Sequence, residues 1–120
     1  MNTAYLSSYT QRPHTARAMP QTQTPLTANA RAVLAEGETL TQAQWETDDQ
    51  GVAGLLGASI DDEASSCTIL NSIGGFATVR CQLTTSTGRK LPQYFEVDVG
   101  DSPFADGTAY GSQSITVSNP

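Results

Sequence analysis

The sequence predicts an all-β domain built around one hydrophobic core. From Ala77 to Leu83, apolar side chains alternate with polar ones, which is the period of a half-buried strand in a sandwich or an open barrel. A Gly-containing turn follows at residues 86–88, and the alternation resumes from Phe95 to Val99. Two alternating runs around such a turn predict a β-hairpin. Charged residues are few, and the many Thr, Ser, Gln, Ala and Gly residues suit a sheet with polar turns.

Four further segments are predicted to be strands. They are assigned to the same domain, because 120 residues is the usual length of a single domain. They span residues 30–35, 40–47, 66–71 and 113–118, while residues 50–58 form a loop or a weak strand. The segment at 113–118 either closes a sheet edge or adds to the sheet of a neighbouring copy. The predicted core contains Trp45, Ile69, Val79, Cys81, Leu83 and Val97.

The two cysteines are predicted to face each other inside this core. A turn centred on Gly74 would pair residues 66–71 with residues 77–83 and place Cys67 opposite Cys81. A disulfide between directly paired strands is geometrically tight, and the sequence has no recognisable secretory signal. We therefore expect two free thiols that pack as small hydrophobic side chains, with a disulfide as the alternative.

Residues 1–29 are predicted to be an extended N-terminal arm, and residues 30–120 the sandwich with a C-terminal tail. The arm is rich in Thr, Gln, Ser and Ala, contains three prolines and has no sustained periodicity. We expect it to be disordered when free and to order on assembly. Its apolar side chains would then dock in a groove of a partner, with arginines between them: Tyr5, Leu6, Tyr9, Arg12, Arg17 and Met19.

Charge is divided unevenly along the sequence. Residues 1–31 carry a net charge of about +3 and no acidic residue, whereas residues 32–120 carry about −9. This division predicts that the arm is steered onto the acidic body of a neighbouring copy; the alternative is a merely solvated basic tail. The net charge of −6 argues against nucleic acid as a partner. No apolar run approaches the roughly 20 residues of a membrane helix, so no membrane partner is expected.

No pattern in the sequence predicts an active site, a metal site or a cofactor. The only histidine, His14, lies in the predicted arm, where no catalytic triad or dyad is expected to form. The acidic cluster at residues 61–63 lacks the ligand spacing of a calcium-binding loop, and a solvated turn is the simpler interpretation. Trp45 is interpreted as a core anchor, and a surface role in stacking on a sugar is the alternative. We expect a protein that is not an enzyme and binds no cofactor.

An ordered set of motifs resembles a family of small proteins of tailed bacteriophages. These are immunoglobulin-like virion proteins, commonly described as fibre–tail adaptors. The family pattern has a Gly-Glu-Thr turn before a strand that bears a Trp, and it ends with a Thr/Ser-Gly-Arg hairpin and a last alternating strand. The matching motifs here are Leu34-Ala35-Glu36-Gly37-Glu38-Thr39-Leu40, Ala43-Gln44-Trp45, Gly74-Gly75-Phe76, Cys81-Gln82-Leu83-Thr84-Thr85-Ser86-Thr87-Gly88-Arg89 and Phe95-Glu96-Val97-Asp98-Val99.

The resemblance implies an immunoglobulin-like β-sandwich that serves as a non-enzymatic virion component at the tail or neck. It implies other virion proteins as partners (tail, fibre or portal-proximal), a homo-oligomeric ring, and synthesis in the host cytoplasm. A capsid decoration protein and a carbohydrate-binding module are the alternatives. A glycan binder is expected to expose a row of aromatic side chains, and this sequence holds a single Trp.

Overall fold

The computed structural model describes residues 2–6, 13–100 and 111–120, which form two packed β-sheets and contain no helix. The strands within this described part are β1 (Asn2–Tyr5), β2 (His14–Ala18), β3 (Thr22–Asn29), β4 (Leu40–Thr47), β5 (Gly54–Ile60), β6 (Ala64–Asn71), β7 (Gly75–Thr85), β8 (Lys90–Val99) and β9 (Gln113–Ser118). Their alternating burial follows from the alternating apolar and polar side chains. The all-β prediction is therefore confirmed.

The two sheets have four and five strands. The four-stranded sheet has the order β1-β3-β6-β5, and the five-stranded sheet has the order β2-β8-β7-β4-β9. The pairs β1–β3 and β2–β8 are parallel, and the other pairs are antiparallel. Consecutive strands repeatedly lie in different sheets, so each sheet depends on pairings between distant parts of the chain.

The core lies between the sheets and is filled by their inward-facing side chains. Trp45 and Phe95 are fully buried and stack with ring centroids 5.7 Å apart. The Trp45 Nε1–H donates a hydrogen bond of 2.9 Å to the hydroxyl of Ser65 in the opposite sheet. The indole therefore joins the two sheets through both packing and a satisfied polar group. The six side chains predicted for the core are each 0 % exposed: Trp45, Ile69, Val79, Cys81, Leu83 and Val97.

The hairpin between β7 and β8 forms where the sequence predicts it. Gly88 has a φ of +87°, a conformation that a residue without a side chain adopts at little cost. The Gly88 N–H donates to the carbonyl of Thr85, and the strands then pair in register from Thr84 with Lys90 to Gly75 with Val99. This hairpin is the centre of the five-stranded sheet, since β2 and β4 flank it.

The structure differs from the extended arm predicted for residues 1–29. The described part of that segment contributes β1 and β3 to the four-stranded sheet and β2 to the five-stranded sheet. Ala16, Leu26 and Ala28 are fully buried, because each lies at an inward-facing alternate position of its strand. The predicted boundary between residues 29 and 30 is therefore wrong, because both sheets include residues on each side of it.

Two local predictions are also wrong. Residues 30–35 form turns, in which the N–H groups of Val33 and Leu34 both donate to the carbonyl of Ala30. Strands β6 and β7 do not pair with each other but lie in different sheets. Their connection is held by the N–H groups of Ser72 and Ile73, which donate to the carbonyl of Gly51, and it carries the chain across the core.

Candidate interaction surfaces

The outward-facing side chains of the two sheets differ in charge. None of the residues in β1, β3, β5 and β6, all of which the structure describes, is charged, and we call the outer face of their sheet the neutral face. We call the outer face of the five-stranded sheet the charged face. The charged residues on the strands of that sheet are Arg17, Glu46, Arg80, Lys90, Glu96 and Asp98.

The neutral face carries hydroxyl and amide side chains, the exposed Tyr5 of β1 and the exposed Leu56 of β5. Thr27 and Ser66 hydrogen-bond to each other at 2.7 Å across β3 and β6, so part of its polar surface is internally satisfied. Beside them is an open groove of about 470 Å³. The residues that line it include Gln23, Leu56, Gly57, Ser59, Ser66 and Thr68. This groove could not be predicted from the sequence, because only the fold brings β3, β5 and β6 together. The sequence signal that accompanies it is the lack of charged residues in these three segments.

The charged face carries a cross-strand ion pair and two exposed aromatic side chains. Arg80 Nη2 donates to Glu46 Oε1 at 2.8 Å, and the two side chains retain 34 % and 36 % of their exposure. A pair this exposed contributes little to stability. Phe76 and Tyr94 are 78 % and 37 % exposed on β7 and β8. Approach of another molecule to this face would remove water from several charged groups.

A second ion pair, between Glu38 and Arg89, holds two turns together. The Glu38 side chain is 2 % exposed, although it carries a carboxylate. It accepts hydrogen bonds from Arg89, from the Thr87 hydroxyl and, at 2.9 Å, from the N–H of Ala35. Arg89 also donates to the carbonyl of Val33 at 2.8 Å. The Arg89 guanidinium, followed by the Thr87 hydroxyl, lowers the pKa of Glu38 far below its usual value of 4.5.

The two cysteines are free and buried, and they lie in opposite sheets. Cys81 is in register with Trp45 on β4, and Cys67 is in register with Leu26 on β3. Burial raises the pKa of the Cys67 thiol to about 11. Burial, and then the nearby Cys67 charge, raises the pKa of Cys81 well above 9.0. Both groups are therefore protonated and unreactive at neutral pH.

The side chains predicted to dock in a partner do not form one surface. Leu6 is 7 % exposed and belongs to the chain's own core, because its N–H donates to Asn29 and continues the β1–β3 pairing. Tyr5 and Met19 are exposed, at 72 % and 67 %, and Arg17 is exposed on β2. Tyr9 and Arg12 lie outside the described residues.

The acidic turn at residues 61–63 is explained by its own backbone. The Asp61 carboxylate accepts hydrogen bonds of 2.8 Å from the N–H groups of both Glu63 and Ala64. Within the described ranges, no group of three His, Cys, Asp or Glu residues could hold a metal ion. Trp45, considered above for stacking on a sugar, is inaccessible in the core.

The same part of the chain has no helix with the length and apolar character needed to cross a membrane. Comparison of the sequence with protein-family models finds no match, and comparison with curated proteins finds none either. The geometry of the two faces and the resemblance of the motifs are therefore the basis for a functional proposal.

Proposed function

We propose that this protein is an immunoglobulin-like, non-enzymatic structural component of a tailed-bacteriophage virion. In this proposal it is an adaptor at the tail or neck, assembled as a homo-oligomer, and it attaches fibres or neighbouring tail proteins. It binds no cofactor. Its partners are other virion proteins, and its surfaces, rather than a catalytic centre, carry its function.

The observation that carries the proposal is the order of the strands. Immunoglobulin-type sandwiches place strands A, B, E and D in one sheet and strands C, F and G in the other. The order of neighbours in β1-β3-β6-β5 corresponds to A-B-E-D, except that β1 runs parallel to β3, and the order β8-β7-β4 corresponds to G-F-C. Trp45 lies on the strand equivalent to C, where immunoglobulin domains have a buried Trp. Strand β9 takes the place beside C, as an additional edge strand.

The contact between Glu38 and Arg89 gives the resemblance a physical basis. Glu38 belongs to the Gly-Glu-Thr turn, and Arg89 ends the Thr/Ser-Gly-Arg hairpin, so two motifs that are distant in sequence meet. Gly37 and Gly88 both have positive φ, which those two turns require. The motifs of the resemblance thus correspond to positions that fix the fold. This correspondence supports the fold part of the proposal more strongly than the role in the virion.

The proposal is tested with phage particles produced from the genome that encodes this chain. We expect mass spectrometry of purified particles to detect the protein in a fixed copy number. We also expect gold-labelled antibodies against it to mark the tail or neck. Particles that lack the gene should lose fibres or neighbouring tail proteins, and supplying the intact chain in trans should restore them.

Each contrary result has a distinct meaning. Label over the whole capsid shell would contradict the adaptor role and favour a decoration protein. Absence of the protein from infectious purified particles would contradict any role in the virion. A Phe76→Ala variant, altered on the exposed charged face, is a useful folded control for antibody binding in these experiments.

A further inference from the structure

Within the described ranges, the neutral face differs from the rest of the strand surface because none of the residues on its four strands is charged. Covering a charged group removes its hydration, which costs far more than covering a hydroxyl that keeps a hydrogen-bond partner. The cores of protein interfaces are correspondingly depleted in charged residues. The neutral face is therefore the sheet surface of this molecule that another protein covers at the lowest cost.

The shape of this face pairs a protrusion with a recess. The register between β5 and β6 shifts between Leu55 and Gly57, and Leu56 lies at this irregularity with 51 % of its surface exposed. The groove of about 470 Å³ is lined by Leu56 itself and by Gln23, Gly57, Ala58, Ser59, Ser66 and Thr68. Apart from Leu56 and Gln23, these side chains are small or absent, so the groove has room for an aliphatic side chain.

The arrangement fits a second copy of this chain. A contact around a twofold axis brings the same patch of both subunits together, so a protrusion beside a recess is complementary to itself. The chain has a net charge of −6, and its charged strand residues lie in the other sheet. Those strand charges are three basic and three acidic, and packing neutral face against neutral face leaves all of them hydrated on the outside.

We propose that two copies pair through their neutral faces, with Leu56 of each copy in the groove of the other. This pairing does not depend on the proposed virion role. The β5–β6 turn carries Asp61, Asp62 and Glu63 at one end of the face. A twofold axis that makes the strands of the two copies antiparallel places these acidic turns at opposite ends and avoids their repulsion.

The size of the face predicts a weak dimer. Four strands at a spacing of about 4.8 Å and seven residues at about 3.3 Å give a face of roughly 19 by 23 Å. Two such faces bury on the order of 900 Å², which is at the low end of specific interfaces. We expect a dimer that forms at high concentration or within an assembly and dissociates on dilution.

The test is sedimentation equilibrium of the full chain from about 10 μM to about 1 mM, the range of a weak complex. The expected result is a monomer–dimer equilibrium that tightens when salt screens the net negative charge. Leu56→Ala should weaken dimerisation by at least about tenfold, since each dimer loses two buried aliphatic side chains. Met19→Ala, which truncates another exposed apolar side chain, should leave it unchanged.

Two further variants separate the contact from any loss of folding. Gly57→Leu fills the groove, and a Cβ at Gly57 meets no atom within 4 Å, so the domain should fold and fail to pair. Gln23→Glu places a charge on the neutral face, while the matched Gln42→Glu places one on the charged face. Only Gln23→Glu should weaken pairing, by about tenfold. A monomer at every concentration, or equal effects of the two glutamates, would overturn the proposal.

Discussion

The two sheets share one core but present opposite kinds of surface to the solvent. On the neutral face, outward positions hold mainly uncharged polar residues and Gly, together with Pro25 and Leu56, whereas the charged face holds carboxylates, guanidinium groups and an ammonium group. Both sets of side chains keep the outer side of a sheet hydrated. They differ in the free energy needed to remove that water, which is much larger for the charged face.

The amino-acid composition alone does not show on which surface the fold places its charged side chains. The charge imbalance along the sequence suggested a basic arm and an acidic body, but the fold divides charge between sheets instead. Among the described residues, Glu38 is the one buried charged side chain, and it pairs with Arg89 where two turns meet.

Deleting residues 2–24 should prevent the domain from folding. The deletion removes β1 and part of β3 from the four-stranded sheet and all of β2 from the five-stranded sheet. It also removes the buried side chains Ala4, Leu6 and Ala16. Circular dichroism and thermal unfolding of the truncated chain check this. A soluble truncated protein with a cooperative transition near that of the full chain would support a separable arm instead.

Trp45→Ala should destabilise both sheets together, by on the order of 3–5 kcal/mol. The indole is fully buried, stacks on Phe95 and donates to the Ser65 hydroxyl, so its removal leaves a cavity, and that hydroxyl keeps only the hydrogen bond it donates to the carbonyl of Ser59. Chemical denaturation measures the change, and Phe76→Ala is the control at an exposed aromatic position. That control should cost less than about 0.5 kcal/mol. A loss below about 1 kcal/mol for Trp45→Ala would contradict the burial of the indole.

Glu38→Gln should destabilise the protein more than any other single change of an acidic residue on the strands or turns described. The variant keeps the shape of the side chain but removes the charge that Arg89 and the N–H of Ala35 surround. It leaves the guanidinium without its carboxylate partner. Thermal unfolding at neutral pH measures the effect, with Glu46→Gln as the matched control.

The pH dependence of stability should identify the same carboxylate. Because its pKa in the folded state is lowered, Glu38 stabilises the fold at pH values above its unfolded pKa of about 4.5. That contribution is lost as the pH falls below this value, since the unfolded chain then binds a proton that the folded chain does not. Denaturation from pH 6 to about pH 2 should give a smaller acid-dependent loss for Glu38→Gln. Identical pH profiles for the variant and the wild type would contradict the assignment.

Glu46→Gln should have the smallest effect, a loss between a few tenths and about 1 kcal/mol. Its ion pair with Arg80 remains about one-third exposed, so water competes for both groups. Measurement at low salt and at about 1 M salt should show the difference shrinking as the charges are screened. A loss as large as that of Glu38→Gln would mean that the charged face is held by its surface ion pair.

The sequence was most informative where strands alternate and turns carry glycine. Strand β4 has the predicted bounds, and β7 and β8 form the predicted hairpin around Gly88. Large apolar residues at every second position identify such strands, because only the inward side can bury them. The same signal identified the six core side chains that the structure buries.

Strands β1 to β3 could not be predicted in this way. Their inward positions hold mainly alanine and threonine, so the alternation is weak, and their parallel pairings involve distant segments. Pro25 argued further against a strand. Among the described residues, β1 pairs with β3 only from Leu26 onward, so Pro25 pairs only with Thr68 of β6. Pro92 is likewise beyond the end of β2, which pairs with β8 only from Phe95.

The candidate interface was even less accessible from sequence. The absence of charge in β5 and β6 is visible in the printed residues, but its meaning depends on β3 lying beside β6 in the same sheet. Leu56 reads as one more apolar residue of a weak strand, and it is exposed because its neighbour Leu55 faces the core. Local sequence patterns therefore predict individual strands, whereas the candidate interface depends on how those strands pair in the folded chain.

The most direct test of the division between the two faces is an NMR dilution experiment on the isotopically labelled full chain. Amide chemical shifts are recorded from about 1 mM down to about 10 μM, the range expected for a weak dimer. We predict concentration-dependent shifts centred on Gln23, Leu56, Gly57 and Thr68, with the amides of Phe76, Arg80 and Glu96 unchanged. Shifts centred on the charged face, or no shifts over this range, would contradict the account.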